Sequence, residues 1–442
     1  LVDRHDDRDA RRLGVLDGFH GLRHHAVVGR DHEDRDVGRL GAAGAHGGER
    51  LVPRGIEERD LVAVPFHLIG ADMLRDAAGL YERDLERENR QRQRRGHEPL
   101  RPIYTMADVE NVLLACETFP YGETFKVGSA QVTFHDAGHI LGSAITEIRL
   151  KEQGQEKTLV FSGDLGKRNA MLMNDPATLS HADVVLMEGT YGNRDHRTLD
   201  DTVAQFEEIL RDAWRRGGNV IIPAFAVGRT QELLFYIGLL AHQGKLNEWQ
   251  VILDSPMAIA VTKLYDRWLS ELDAKDIRPL RDSHKNSLRQ FIPRLYLTNS
   301  VEESMAINKI QRGAIIIAGS GMCNGGRIRH HIKQRIWDKR NTMMFVGFQA
   351  YGTLGRVLVD GAKRVRLFGD EYAVNAQIET LGGFSAHAAQ TELVEWISNF
   401  TRQPRVALVH GEPEALEALR GLGPATTLPL QHRRPGEPRG DE

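Results

Sequence analysis

The chain has 442 residues, of which 41% are hydrophobic and 27% charged, and its formal net charge is −3. No run of about 18 apolar residues is present, which excludes a transmembrane helix, and two cysteines, Cys116 and Cys323, are too few for a disulfide scaffold. Because there is no global basic surplus, contact with nucleic acid requires a local basic patch.

Residues 1–80 differ in composition from the rest of the chain. They contain no Ser, Thr, Lys, Asn, Gln, Tyr, Trp or Cys, but 12 Arg, 11 Asp, 12 Gly and 7 of the 19 His. The order of polar and apolar residues follows neither a helical nor a strand period. The segment also lacks the basic and then apolar pattern of a secretory signal, so we expect a cytoplasmic location.

Three interpretations of this anomalous segment are open. It is a disordered tail, a His-rich metal-binding arm, or a stretch translated from the wrong frame or strand of a GC-rich gene. Disordered tails are usually rich in Ser, Lys and Gln, and the histidines have no repeated ligand spacing. We therefore favour the third interpretation, which resequencing the start of the gene would test.

After residue 80 the pattern alternates between helices and strands. A solvated helix is predicted over Tyr81–Gly96 and a short helix over Ala107–Cys116. Asp200 is expected to cap a helix that ends at Trp214. Short β-branched or apolar runs predict the first four strands, Ala130–Phe134, Ile145–Leu150, Thr158–Ser162 and Asp183–Met187.

The second half of the chain continues this alternation. Helices are expected after Thr230 and from Ala258, and the tail after Gly423 is expected to fray. The further predicted strands are Val220–Ile222, Val251–Leu253, Ala314–Ala318, Met343–Phe348, Arg364–Phe368 and Val406–Val409. Alternation of this kind predicts an α/β fold with layered sheets and helices.

Five chemically capable side chains stand on glycine-rich or small-residue turns where predicted strands end. His139, Asp164, Glu188, His387 and His410 occupy such turns. A histidine on a rigid turn suits metal ligation through a neutral ring nitrogen, and one Asp can bridge two cations. Taken singly, each is more often structural. Together they predict a metal site.

Nine short motifs occur together and in order. They are Asp136–Ser143, Ser162–Gly166, Glu188–Gly192, Pro223–Glu232, Asp254–Ala258, Gly319–Met322, Gly352–Arg356, Ser385–His387 and His410–Glu412. With this ordered set, residues from about 81 to about 423 resemble the metallo-β-lactamase-fold ribonucleases that carry a β-CASP insertion. That group includes the cleavage and polyadenylation nuclease subunit and bacterial RNA-processing exonucleases.

The resemblance implies a fold and a domain arrangement. Residues 81–195, as an incomplete first part, and residues 370–442 would form a four-layer αββα metallo-β-lactamase domain. Residues 196–369 would form an inserted α/β β-CASP domain. RNA is the implied substrate, no membrane is involved, and a homodimer is compatible with the family.

The resemblance also implies roles for single residues. Two zinc ions would sit between the domains, where His139 would bind one, Asp164 would bridge both and His387 would bind the other. Glu188 would orient a ligand histidine or assist proton transfer, and His410 is a further catalytic candidate in the same cleft. Ser320 and Gly321 would present backbone amides to phosphate.

The chain departs from this family in its zinc ligands. The family's His-x-His-x-Asp-His motif is the source of most of its zinc ligands, and it does not occur in this sequence; His24–His25 and Asp31–His32 do not have its spacing. We therefore expect weak metal binding, impaired hydrolysis, and exposed sheet surface where the opening strands are missing. A non-catalytic RNA-binding scaffold is the alternative. A hydrolase of small molecules is disfavoured by the β-CASP segment.

One basic segment gives independent support for RNA contact. Residues 327–340 contain six Lys or Arg and the single acid Asp338. They follow the Gly319–Met322 motif directly, and such a surplus suits a phosphate backbone. A solvated helix surface is the alternative interpretation, and we assign the pair His330 and His331 to the helix itself.

Overall fold

The computed structural model describes residues 64–152, 154–267, 285 and 287–422. Residues 1–63 and the tail predicted to fray lie outside this part of the chain. No helix within the described ranges is both long enough and apolar enough to cross a membrane.

The first described element is a long helix, α1 (Val64–Arg94), followed by α2 (Met106–Ala115). Residues 64–80 belong by composition to the anomalous segment, yet they form the first half of α1 and bury Ile69 and Ala78. The compositional boundary at residue 80 is therefore not a structural boundary. The predicted helix over Tyr81–Gly96 is the second half of α1.

Among the described residues, six strands form the first sheet. They are β1 (Thr124–Val127), β2 (Ala130–Asp136), β3 (Ala144–Glu152), β4 (Gln155–Phe161), β5 (Val184–Met187) and Arg405–Leu408 beside β5. Neighbours from β1 to β4 run antiparallel, and β5 is parallel to both β4 and the last strand. The prediction missed β1, an edge strand of four residues.

A second sheet is built from the chain between the last two strands of the first. Within the described residues, eight strands lie between β5 and the last strand of the first sheet: β6 (Val220–Pro223), β7 (Gln250–Leu253), β8 (Leu295–Leu297), β9 (Ala314–Ala318), β10 (Thr342–Phe345), β11 (Arg364–Leu367), β12 (Asp370–Ala373) and β13 (Gln377–Thr380). Six of them form a parallel sheet in the order β13-β10-β6-β9-β7-β8, and β11 and β12 pair as a hairpin. Residue 370, where return to the first domain is expected, lies in this hairpin.

Helices cover both faces of the parallel sheet, as its continuous apolar strands require. They are α3 (Leu199–Arg215), α4 (Arg229–His242), α5 (Pro256–Arg267), α6 (Leu288–Phe291), α7 (Val301–Ala306), α8 (Ile328–Arg335) and α9 (Leu354–Val359). Thr198 caps α3, so the prediction of Asp200 was wrong by two residues. The Thr198 hydroxyl oxygen accepts a hydrogen bond from the Asp201 amide. Asp200 lies in the first turn, where its negative charge interacts favourably with the helix dipole.

The chain then returns to the first sheet through α10 (Gln390–Ser398), β14 (Arg405–Leu408) and α11 (Pro413–Leu422). Both helices pack on one face of this sheet, where Val160, Val185 and Leu408 are buried. On the opposite face, Phe161 is 37% exposed and its neighbour Leu186 is half-buried. The described residues therefore place helices on one side of the first sheet and leave apolar side chains partly exposed on the other.

Candidate metal centre

His139 lies on a tight turn after β2 that is fixed by its own hydrogen bonds. The Ser143 hydroxyl oxygen accepts hydrogen bonds from the His139 amide, at 3.1 Å, and from the Ile140 amide, at 3.2 Å. Gly138 has φ of +66°, and a Cβ there would lie 2.5 Å from the Asn174 carbonyl oxygen. Only glycine fits this turn without displacement, so the position of His139 is set by the backbone.

Asp164 lies on the turn after β4, and this turn packs directly against the first. The Gly166 amide donates to the Ala137 carbonyl at 2.8 Å. A Cβ on Gly166 would lie only 2.0 Å from the Gly138 carbonyl oxygen, so glycine permits this approach. As a result, Asp164 Oδ2 stands 4.0 Å from His139 Nε2.

His387 comes from the C-terminal part of the chain and is clamped against the same turn. Gly166 and His387 form an antiparallel bridge, and the Ala388 amide donates to the Leu165 carbonyl at 2.8 Å. The His196 ring Nε2 lies 2.9 Å from the His387 carbonyl oxygen and donates to it. The backbone on both sides of His387 is therefore held in place.

These three side chains converge. One donor atom from each of His139, Asp164 and His387 lies within 4.8 Å of the other two, and the two imidazole rings are 4.4 Å apart. The Nδ1 atom of His139 is buried and makes no hydrogen bond with the described residues. Two imidazoles and one carboxylate are a donor set that zinc prefers, and an orphaned buried nitrogen is what a missing cation would leave. The residues therefore fit a zinc ion.

Glu188 stands behind His387. Its side chain is 1% exposed, and both its oxygens lie 3.2 Å from His387 Nδ1. The carboxylate also accepts the Leu165 amide at 2.7 Å. A carboxylate on one ring nitrogen fixes the tautomer of a histidine and leaves the other nitrogen to a metal.

The electrostatics of the pair follow from this contact. Burial alone opposes ionisation of Glu188, but the adjacent His387 outweighs it and lowers the pKa of the carboxyl. Burial likewise opposes the charged form of His387, yet the Glu188 carboxylate raises the pKa of this imidazole to about 9. Burial and the nearby His387 lower the pKa of His139 to about 4. His139 is thus neutral at neutral pH, as a metal ligand must be, whereas a cation bound to His387 would have to displace the proton that Glu188 stabilises there.

His410 lies at the edge of this cluster. Its Nε2 is 3.8 Å from Asp164 Oδ1, and its ring is 6.4 Å from that of His387. Its backbone has φ of +56°, and its carbonyl accepts the Gly189 amide at 3.0 Å. The structure thus brings His139, His387 and His410 around Asp164 and places Glu188 against His387.

Ser320 and Gly321 lie in the loop between β9 and α8. The Ser320 amide donates to the Gly325 carbonyl at 3.2 Å, so this group is used within the loop. Gly321 lies under the Phe225 ring, where an added Cβ would come within 2.8 Å of a ring carbon. The loop is therefore closely packed.

Two residues near the site, His196 and Lys167, lie outside the sequence motifs named above, whereas Arg229 lies within the Pro223–Glu232 motif. His196 supports His387, and Lys167 Nζ donates to the Gly383 carbonyl at 2.8 Å. Arg229 pairs with Glu232 in the first turn of α4, and its charge disfavours protonation of His139. The contacts of His196 and Lys167 join distant parts of the chain, so spacing along the sequence does not reveal them.

A small cavity adjoins His139. It is lined by the turn 170–173, by Gly228, which is the N-cap of α4, by Glu232 in the first turn of that helix, and by Tyr265 of α5. Gly228 has φ of +75°, and a Cβ there would lie 2.5 Å from an Ile140 methyl. The loops of both sheets therefore meet beside the candidate metal ligands.

Comparison with known proteins agrees with this architecture. Residues 230–358 match the Beta-Casp domain, and residues 371–424 match the Zn-dependent metallo-hydrolase RNA specificity domain. A ribonuclease of Thermus thermophilus is 42% identical over 321 residues, which cover 73% of this chain and 72% of that protein. An RNase J-like protein of Methanocaldococcus jannaschii is 30% identical over 317 residues, 71% of each chain.

Transcription termination factor FttA of Pyrococcus abyssi is 32% identical over 328 residues, which cover 71% of this chain but 49% of that protein. The chain thus matches about half the length of this longer relative. The match to the Thermus ribonuclease is long and close enough to assign this chain to its family, and the two domain matches support the same assignment. The chain belongs to the β-CASP ribonucleases of the metallo-β-lactamase fold, a family of zinc-dependent RNA-specific metallo-hydrolases.

Proposed function

We propose that this chain is a zinc-dependent hydrolase of RNA phosphodiester bonds whose catalysis is impaired. One observation carries the proposal: donor atoms of His139, Asp164 and His387, from three separate turns, lie within 4.8 Å of one another. Membership of an RNA-specific family supports RNA as the substrate. We place the RNA between residues 196–369 and the parts of the chain on either side of them.

The three donors suit one catalytic zinc. Such sites use three protein ligands and keep one position open. When bound, zinc supplies a Lewis acid that polarises a phosphoryl oxygen and lowers the pKa of a water molecule. Because His387 Nδ1 donates to Glu188, its Nε2 is the nitrogen left for the cation. We assign positioning of His387 to Glu188, which lies behind that ring, and proton transfer to His410, whose Nε2 is 3.8 Å from Asp164.

Impairment follows from the number of donors. Two four-coordinate zinc ions that share Asp164 need more ligands than His139, Asp164 and His387 provide. The His-x-His-x-Asp-His motif that supplies the others in this family is absent from the sequence. We therefore expect this chain to bind zinc weakly and to hydrolyse RNA slowly. We expect it to act in the cytoplasm, and a homodimer is compatible with this function.

The same absence favours a second candidate function, an RNA-binding scaffold without catalysis. A scaffold would bind RNA and leave it intact even with zinc in excess. An impaired hydrolase would cleave slowly and would gain activity when its missing ligands are supplied.

The test compares this chain with a version that carries an in-frame N-terminus restored from the gene. Zinc per chain is measured by elemental analysis, and cleavage of end-labelled RNA is followed on gels. We expect two zinc ions and faster cleavage only in the restored version. Equal activity of both versions would contradict impairment, and cleavage by neither, with RNA still bound, would favour the scaffold.

A further inference from the structure

The hairpin of β11 and β12 and the helix α8 together form an exposed surface of aromatic rings and cations. It consists of Arg329, His330 and Lys333 from α8 and of Phe368 and Tyr372 from the hairpin, and is called the aromatic–cation patch below. We propose that this patch is a binding surface for single-stranded RNA, with an unpaired base stacked on Phe368. The inference rests on the proposed function, since it names a second RNA contact outside the metal centre.

Phe368 is exposed in a backbone conformation that disfavours it. It occupies the two-residue turn of the hairpin with Gly369, at φ of +53° and +96°. Turns of this kind favour Asn or Gly, because a bulky side chain is strained at positive φ. The residue is nevertheless 44% exposed. A strained aromatic that is not needed to fill a core points to a role at the surface.

Three side chains of α8 surround this ring. The Arg329 guanidinium carbon lies 4.7 Å from the ring centroid and Lys333 Nζ lies 5.8 Å from it. The His330 ring is 4.7 Å from Phe368 at an interplanar angle of 28°. Burial and the two adjacent cations lower the pKa of His330, so it is a neutral flat ring at neutral pH. The patch therefore combines stacked planes with positive charge.

The charge of the patch is incompletely neutralised. The ion pairs of the described residues include none to Arg329, whose Nη1 contacts only the Asn324 carbonyl at 3.5 Å. Lys333 Nζ is 3.9 Å from Asp370, a carboxylate 69% exposed that also accepts the Tyr372 hydroxyl at 3.3 Å. The pair of Lys333 and Asp370 is thus long and exposed, and such a pair is exchanged readily for a phosphate.

Two other arginines of the same basic segment are turned inward, and a third, Arg340, is paired with Asp338 at 2.7 Å. Arg327 pairs with buried Asp254 at 2.7 Å. Arg335 is 4% exposed and donates to the Ile307 carbonyl at 2.7 Å. Only part of the positive charge of this segment is therefore available to an anion. Arg329 and Lys333 carry some of that charge, and both lie beside Phe368.

Single-stranded RNA fits this chemistry better than a duplex. Bases of a duplex are stacked on each other, whereas an unpaired base can lie on an aromatic ring while a neighbouring phosphate meets a cation. An acidic protein segment would pair with Arg329 and Lys333 but would not require an aromatic ring at position 368. The identity of the side chain at this position therefore distinguishes the two partners.

The test measures binding of a fluorescent 12-nucleotide oligouridine by anisotropy, with EDTA present so that zinc and cleavage play no part. We expect Phe368→Leu to weaken binding by at least about 5-fold, the lower end for the loss of one base–aromatic stack, and Phe368→Trp to preserve it. Tyr296→Leu, which removes an aromatic ring 52% exposed on β8, is the matched control and should change nothing. Circular dichroism melting verifies that each variant is folded.

Arg329→Ala tests the cation separately. We expect the slope of log Kd against log salt to fall by about 0.7, the value for one phosphate contact on a single strand. Equal affinity of Phe368→Leu and the unmodified chain would overturn the proposal and leave an acidic protein as the partner. Because these measurements need no zinc, failure of the metal centre to cleave RNA would not alter them.

Discussion

Both carboxylate oxygens of Glu188 lie 3.2 Å from Nδ1 of His387, inside a pocket where Glu188 is 1% exposed. The first prediction follows from this contact. Glu188→Gln leaves the volume unchanged but removes the charge that fixes the His387 tautomer, so we expect zinc affinity to fall by about 10- to 100-fold.

Competition titration with a zinc-binding dye measures this change. Glu395→Gln is the control, since Glu395 pairs with Arg168 at the surface and its side chain is 48% exposed. Unchanged zinc affinity in Glu188→Gln would contradict the assignment of His387 as a ligand.

The second prediction concerns the contact between two turns. In Gly166→Ala the added methyl would lie 2.0 Å from the Gly138 carbonyl oxygen and would push the His139 turn away from Asp164. We expect a loss of about 2 kcal/mol in the free energy of unfolding, together with weaker zinc binding. Urea unfolding and the dye titration measure the two effects.

Gly70→Ala is the matched control for that variant. Gly70 lies inside α1, and a Cβ there meets no atom within 4 Å, so we expect a gain of about 0.5–1 kcal/mol and unaltered zinc binding. If Gly166→Ala bound zinc as tightly as this control, the close approach of the turns would not define the site.

The third prediction concerns Asp254, a carboxylate with no exposed side-chain surface that holds α8 to the second sheet. Its oxygens accept hydrogen bonds from four side chains, namely Arg327 at 2.7 Å, Thr298 at 2.6 Å, His331 at 2.7 Å and Ser304 at 2.6 Å. Asp254→Ala leaves these donors unpaired, and we expect a loss of about 3–5 kcal/mol in urea unfolding. A loss below about 1 kcal/mol would mean that water replaces the carboxylate.

The same carboxylate predicts how stability depends on pH. Burial disfavours its ionised form, but the four hydrogen bonds outweigh burial and hold the pKa of Asp254 well below its usual range. The unfolded chain then binds more protons than the folded chain at acidic pH, so stability rises with pH up to about 4 and is lost below it. Asp254→Asn should show a flatter profile between about pH 2 and 4; a parallel profile would assign the acid loss to other groups.

The fourth prediction separates backbone strain from ring contact at Phe368. Phe368→Asn and Phe368→Leu both remove the ring, but asparagine tolerates positive φ. We expect the Asn variant to be about 1 kcal/mol more stable than the Leu variant, and both to bind single-stranded RNA weakly. Thermal unfolding gives the first difference. If the two variants unfolded alike, the turn would be unstrained.

Much of the architecture can be predicted from the sequence because local patterns report it. The continuous apolar run Ala314–Ala318 coincides with β9, which is buried along its length, and the run Ala130–Phe134 begins at the first residue of β2 but ends two residues before the strand does. The convergence of His139 with Asp164 was predictable because both follow strands that end at one edge of a sheet. Strand β1 was missed because an exposed edge strand has no such signature.

What the sequence could not predict are contacts made across the fold. His196 and His387 are far apart in the chain, and their hydrogen bond exists only once both parts are packed. The side of α8 on which each arginine lies is decided by Asp254, which binds Arg327 and leaves Arg329 outside. The amino-acid composition does not distinguish Arg327 from Arg329, and only the folded structure shows that one is paired with a buried acid and the other is not.

The half-exposed face of the first sheet has a consequence for the chain as a whole. Phe161 and Leu186 meet water on one side of a sheet whose other side is sealed by α10 and α11. A surface of this kind binds hydrophobic dyes and attracts chaperones, and it makes a chain prone to aggregate on warming. We therefore expect any segment or partner that covers Phe161 and Leu186 to slow aggregation of this chain, independently of any chemistry at its metal centre.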